Sequence, residues 1–220
     1  GGSIKYSEDD ILATERGDDP YNHSYLNWAN EVYKPTYITQ HTLNLTGGSE
    51  VGRYLVSFDY LDQPGLVKNT EYQRYSYRVN TDLNIGKMLK VSSDVTYRHV
   101  DRLWPESLGS VQYDVWSMQP TSPVRYENGD YRLDKQNRNA ISLMDLDVVG
   151  EDRYNMDVVY GQVKADFEPI KDLVFTGMAS LNGSWDRRKI HYKNYKYYNE
   201  AGELVTQRNN PNSVKDSRNN

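Results

Sequence analysis

Cysteine is absent from the 220 residues, which excludes a disulfide framework, a thiolate zinc site and a cysteine nucleophile. The redox compartment stays open, because oxidising compartments also hold cysteine-free proteins. A basic excess is missing too: 26 Lys and Arg stand against 31 Asp and Glu, a formal charge of −5. Phosphate binders normally carry a basic footprint, so nucleic acid is not an expected partner. No apolar run approaches the ~18 residues that a membrane helix needs. Gly1 to Asp10 show neither a basic start nor an apolar stretch, so no signal peptide is read there. Phenylalanine is scarce, with 3 Phe against 20 Tyr and 4 Trp. A mean hydropathy of −0.87 suits a loop-rich soluble protein, but the tyrosine excess suits surfaces half wet and half apolar, such as interfaces, sugar sites and barrel walls.

Motifs for catalysis are missing as well. His23, His41, His99 and His191 include no pair four residues apart, so there is no zinc-protease helix. Neither a phosphate loop nor a dinucleotide fingerprint occurs. GSEVG at 48–52 places its serine off-centre for a nucleophile elbow and reads as a glycine turn between strands. Asp145, Asp147, Glu151 and Asp152 form one acidic cluster, and Glu8, Asp9 and Asp10 another. Their spacing matches no calcium loop, and solvated acidic loops are far commoner than sites. Facing carboxylates for glycoside hydrolysis would arise only by chance. The reading is therefore of a non-enzyme with no cofactor and no metal.

What is present is alternation with period two. In 75–83, Tyr75, Tyr77, Val79, Thr81 and Leu83 share a face opposite Ser76, Arg78, Asn80 and Asp82. In 89–98, Leu89, Val91, Ser93, Val95 and Tyr97 oppose Lys90, Ser92, Asp94, Thr96 and Arg98. Segment 53–60 sets Tyr54, Val56, Phe58 and Tyr60 against Arg53, Leu55, Ser57 and Asp59. With 41–46, 159–167 and 173–185, six strands are predicted. Alternation alone does not separate a soluble sandwich from a membrane barrel. Several runs nevertheless exceed the usual strand of about five or six residues and approach the ~9–11 that cross a bilayer when tilted.

The connections discriminate further. Read as 47–52, 61–72, 84–88, roughly 99–156 and 168–172, they alternate short and long. Outer-membrane barrels sort turns and loops by side in this way, whereas a Greek-key sandwich has no reason to. With an even number of strands, both ends of the stretch fall on the long-loop side. The 99–156 connection is too long for a structureless linker and reads as a folded excursion. Within it, 109–118 suits a short helix and YENGDY at 126–131 an Asn-Gly hairpin turn. Trp104, Tyr113, Trp116, Tyr126 and Tyr131 in this loop are the candidate ligand contacts, by stacking on a sugar ring or packing on a peptide; the competing reading makes them the loop's own small core. KNYKYYN at 193–199 beside Arg187, Arg188 and Lys189 reads as strand extension rather than a nucleic-acid patch, given the acidic total. The polar tail 207–220 reads as loop.

The stretch NLTGGSEVGRYLVSFDYLDQPGLVKNTEYQRYSYRVNTDLNIGKMLKVSSDVTYR (44–98) resembles SusC/RagA-type TonB-dependent outer-membrane transporters. The resemblance is carried by Gly47-Gly48-Ser49-Glu50, Tyr60 to Gln63, Gly65-Leu66-Val67, Thr70, Arg74 and Leu89-Lys90. YLNWANEVY (25–33) upstream, with NGDY and LVFTGMASLNGSWDRRK downstream, extends it; Pro64 departs from the pattern where an acidic residue is common. The resemblance implies an all-β fold, an antiparallel up-and-down meander of about six strands forming part of a transmembrane β-barrel with long extracellular loops. Barrels of this class have roughly 22 strands around a plug, so this stretch is expected to be an internal piece.

It further implies an outer-membrane location in a Gram-negative bacterium, import of glycans or peptides, TonB as energy source through a part outside this stretch, and a SusD-like surface lipoprotein as partner. In that frame, 1–40 is an extracellular loop segment and 41–100 holds barrel strands with short periplasmic turns. A long extracellular loop then covers 101–155, a barrel hairpin 156–186 and a further loop segment 187–220. Arg53, Arg78, Asp82, Lys90, Asp94 and Arg98 face the lumen or plug, and the Tyr/Val/Leu/Phe face meets outer-membrane lipid. The rival is a soluble extracellular carbohydrate-binding β-sandwich using the same loop aromatics.

Overall fold

The period-two segments pair into one long antiparallel ladder. A computed structural model describes residues 7–209 and 214–219; the first residues of the expected 1–40 segment, and residues 210–213 and 220 of the tail, lie outside them. The strands are β1 (Thr39–Gly48), β2 (Gly52–Pro64), β3 (Glu71–Ile85), β4 (Leu89–Pro105), β5 (Gly150–Ile170) and β6 (Leu173–Tyr192). Each pairs with the next, and β9 (Val214–Asn219) adds to β6 after an intervening hairpin, β7 (Tyr195–Tyr198) with β8 (Leu204–Arg208). The seven-stranded sheet is open, with β1 and β9 at its edges. Among the described residues no second sheet packs on it; the other sheet is the two-stranded hairpin. A sandwich core is therefore not formed.

Strand lengths correct the sequence expectation. β4 has 17 residues, β5 21 and β6 20, so the expected 99–156 connection shrinks to 106–149, and 61–72 to 65–70. Beyond His99 charges fall on both faces, as in Asp101-Arg102 and Asp152-Arg153, so the periodic signal breaks up while the backbone ladder continues. The tail is corrected for the same reason. Lys215 to Asn219 are all polar, yet they pair with Asp186 to Ile190 of β6, and Arg187 donates two hydrogen bonds to Asp216 at 3.1 and 2.7 Å.

Register separates the two faces. Leu45, Val56, Val79 and Val95 lie in one cross-strand row that runs on through Gly161 to Leu181. The row Leu43, Phe58, Tyr77, Tyr97 and Val159 stands beside it. Next comes His41, Tyr60, Tyr75, His99, Asp157 and Trp185, whose ring neighbours pack at 4.9 to 6.4 Å. Beyond that the row is Thr39, Asp62, Gln73, Asp101, Asn155 and Arg187, where apolar character stops. At the other end, Ile85, Leu89, Phe167 and Phe175 close the band. From Tyr75 to Ile85 the chain rises about 33 Å at about 3.3 Å per residue. At a strand tilt of about 40° that is a band of about 25 Å, the height of the apolar belt of a transmembrane barrel. The band is uncovered: Leu43 and Leu181 are each 68% exposed. Its one carboxylate, Asp157, accepts hydrogen bonds from Tyr97 (2.6 Å) and shares a 2.8 Å contact with His99 Nδ1.

The turns at one end are tight. Gly48 leads into 49–51, Gly86 (φ +64°) carries the β3–β4 turn, and Lys171-Asp172 links β5 to β6. At the opposite end the connections build a cap. It contains α1 (Glu8–Arg16), α2 (Trp28–Val32), α3 (Leu108–Ser117), a 3-10 helix (Ser142–Met144) and α4 (Leu146–Val149). Helix α1 starts with a reciprocal capping box between Ser7 and Asp10 and stops at Gly17 in the left-handed conformation. Helix α3 lies where the sequence places one. The 126–131 turn also forms, closed by Tyr126 N–H to Asp130 O at 2.9 Å.

The molecule's apolar core lies in this cap, where Trp28, Val32, Val67, Val111, Val115, Met118, Ala140 and Met144 are buried together. Asn139 ties it down: its amide donates to the carbonyls of Val124 and Arg132, both at 2.8 Å, and its oxygen accepts from Ser142 N–H at 3.0 Å.

Candidate functional site

The polar face carries Arg53, Arg78, Asp82, Lys90, Asp94 and Arg98 together, because their strand positions share one parity across the register. Arg78 reaches Asp94 at 3.4 Å and Lys90 reaches Asp82 at 3.8 Å, while Ser92 donates to Asp82 at 2.5 Å. Arg53 and Arg98 are exposed and make no ion pair with the described residues. The surface is thus a wet mosaic of both charges, able to exchange partners with water or with another polar body.

Near the cap the same face changes character. Rows that place Tyr72, Arg102, Tyr154 and Arg188 side by side, then Trp104, Asp152 and Ile190, make an aromatic and guanidinium-rich mouth. Arg188 holds Asp152 in a fork, with Nε to Oδ1 at 2.9 Å and Nη2 to Oδ2 at 2.6 Å. The Arg102 guanidinium lies 3.7 Å from the Trp104 ring centre and 5.0 Å from that of Tyr154. Glu106, at the end of β4, is gripped by Arg208 from the hairpin at 2.6 Å.

The five loop aromatics do not form one platform. Trp104 faces the mouth under Arg102. Tyr126 and Tyr131 belong to the small hairpin, where Arg132 and Arg125 lie over their rings at 5.2 and 3.7 Å. Tyr131 also donates to Asp145 at 2.9 Å, and burial with that carboxylate pushes its hydroxyl up to about 12. Tyr113 and Trp116 stand one helical turn apart on the outer side of α3 and are 69% and 77% exposed. None of the five belongs to the buried cluster, which is aliphatic apart from Trp28 and two methionines.

Arg102, Tyr154 and Arg188 escape sequence reasoning because they lie past the end of the alternating pattern. Only the ladder's continuation aligns them. The acidic clusters gather no metal set among the described residues: Asp145 caps α4 and accepts from Tyr131, Asp147 pairs with Lys193, and Asp152 pairs with Arg188.

Asp10 and Asp19 instead bracket His23, at 3.2 Å from Nε2 and 3.3 Å from Nδ1. Both carboxylates raise the imidazole above its usual 6.5, while Ser7 lowers Asp10 and Asn22 lowers Asp19. The His23 contribution is complete below 6.5 and fades as pH rises through the raised value; the carboxylate contributions persist until acid titrates them below 3.8. Amide protection of α1 is expected to be highest between those limits and to fall on the alkaline side. His23→Gln is expected to remove that alkaline dependence, and an unchanged profile in the variant would refute the assignment.

Comparison with known proteins yields no match to any family model. Two TonB-dependent receptors of Formosa agariphila are each 30% identical to this chain. The first is similar over 114 residues, 51% of this chain and 11% of that receptor; the second is similar over 99 residues, 42% and 10%. Solved structures of the RagAB peptide transporter superpose with a TM-score of 0.66 at 20% identity, over 87% of this chain and 24% of that one. The RagAB peptide importer in its closed-closed state gives 0.65 at 18% identity, over 88% and 24%. The curated relatives are named as TonB-dependent receptors, and the structural neighbours share the fold of the RagAB transporter. The chain spans about a tenth of the length of the curated relatives it matches. In RagA/SusC-like terms, the open seven-stranded sheet has the form of a stretch of barrel wall.

Proposed function

We propose that this chain forms part of the wall and the substrate-facing mouth of an outer-membrane importer of glycans or peptides. The carrying observation is the two-faced sheet: an uncovered apolar band of about 25 Å, edged by an aromatic row, backs a charged face across the same strands. Such a band has no partner in water, and a bilayer supplies one. The polar mosaic around Arg78 and Asp94 then faces the lumen and its plug, with the tight turns periplasmic and the cap extracellular. The motif resemblance supports energy coupling to TonB and pairing with a SusD-like surface lipoprotein. The RagAB neighbours, named as a peptide transporter, favour a two-component assembly.

The test is uptake. Cells carrying the complete barrel are expected to accumulate labelled oligosaccharide or oligopeptide, and to stop when a protonophore collapses the inner-membrane gradient that drives TonB. Uptake that survives the protonophore, or that is unchanged in cells lacking the barrel, would overturn the reading.

A further inference from the structure

We infer that Arg102 is the anchor of a carboxylate-binding subsite at the mouth of the polar face, an inference that rests on the importer reading above. The substrates it favours carry a carboxylate, as a uronic acid of a glycan or the terminus of a peptide.

The geometry begins with Asp152, which is 5% exposed and has both oxygens engaged by Arg188. Arg102 approaches the same carboxylate only to 3.7 Å. Its side chain makes no hydrogen bond with the described residues, and its Nε is buried with no partner. A buried Nε–H of a guanidinium without an acceptor is costly, since hydrogen bonds to charged groups are about twice as strong as neutral ones. Trp104 and Tyr154 nevertheless hold the group in place, at 3.7 and 5.0 Å from their ring centres. Two cations thus share one anion, and the cation left over is oriented by aromatic faces rather than by acceptors.

Position agrees with use. Arg102 lies three residues past His99 of the aromatic row, about 10 Å further along the strand, on the opposite face from the apolar band. A planar guanidinium fork suits a carboxylate in two-point contact, and the aromatic walls suit the sugar ring or side chain that carries it.

The experiment measures affinity for matched probes in the complete, refolded barrel. One pair is tri-galacturonate and its methyl ester; the other is a tri-alanine peptide with a free or an amidated C-terminus. The acid member of at least one pair is expected to bind more tightly than its neutral twin, and the pair that discriminates identifies the source of the carboxylate. Arg102→Gln is expected to reduce that preference about tenfold with little change for the neutral twin, and Arg102→Lys to retain part of it. Migration of unheated barrel in detergent gels reports whether each variant folds. A preference unchanged in a folded Arg102→Gln barrel overturns the inference. So does a variant that only loses stability, because the partner is then a carboxylate of the protein itself. Absence of any acid preference in the native barrel overturns it as well. None of these outcomes touches the importer reading, which the protonophore-sensitive uptake tests separately.

Discussion

Arginine at Val95 is expected to destabilise the complete barrel by about 2–4 kcal/mol. Val95 sits directly across from Val79, in the middle of the apolar band, and is 46% exposed in this chain. In a bilayer that exposure is to hydrocarbon, where a guanidinium can neither be hydrated nor find a counter-charge within its row: the neighbours are Leu45, Val56, Val79, Gly161 and Leu181. The control lies one residue away in the ladder. Asn80→Arg places the same side chain on the polar face opposite Asp94, where the cost is expected to stay within about 0.5 kcal/mol. Urea titration of folding into lipid vesicles measures both. Equal effects of the two variants, or a neutral Val95→Arg, would reverse the assignment of faces.

That contrast depends on parity, the part of the fold most legible in the sequence. Val79, Val91 and Val95 with their polar alternates fix which residues share a face, because a strand has only two. The motif set from Gly47 to Lys90 then favours a membrane wall over a sandwich. Legibility ends where the outside environment stops imposing a pattern. Above His99 charges stand on both faces with no alternation, so Arg102 and Asp152 look like loop, although the ladder carries them to Pro105 and from Gly150. Edge strand β9 is unreadable for the same reason: its pairing partner is the water-exposed end of β6.

The cap hides for a different reason. Its core is assembled from residues 28–32, 67, 111–118 and 140–144, and no local period links them. Only helix α3 and the 126–131 turn, both made by neighbours in sequence, announce themselves. The candidate aromatics illustrate the bias. Tyr113 and Trp116 attract notice in the loop, yet the Trp that organises it lies about eighty residues upstream, inside the cap.

Trp28→Ala is accordingly expected to remove about 3–5 kcal/mol from the cap. Trp28 is 3% exposed, contacts the cluster built on Val111, Val115 and Met144, and donates its indole N–H to the Gln119 carbonyl at 3.0 Å. Deletion leaves a cavity at the junction of three chain segments and a carbonyl without its donor, two losses that the neighbouring Leu26 N–H to Pro120 O bond cannot recover. Trp28→Phe keeps most of the packing, so it should cost little more than the hydrogen bond, about 1 kcal/mol. Hydrogen exchange separates the regions. In the alanine variant protection should collapse across α3 and the 3-10 helix while the ladder between Val91 and Tyr97 holds, because the sheet's own bonds do not pass through the cap. Uniform loss across both would show that cap and wall unfold as one body, and no loss in either would place the cap's stability somewhere other than Trp28.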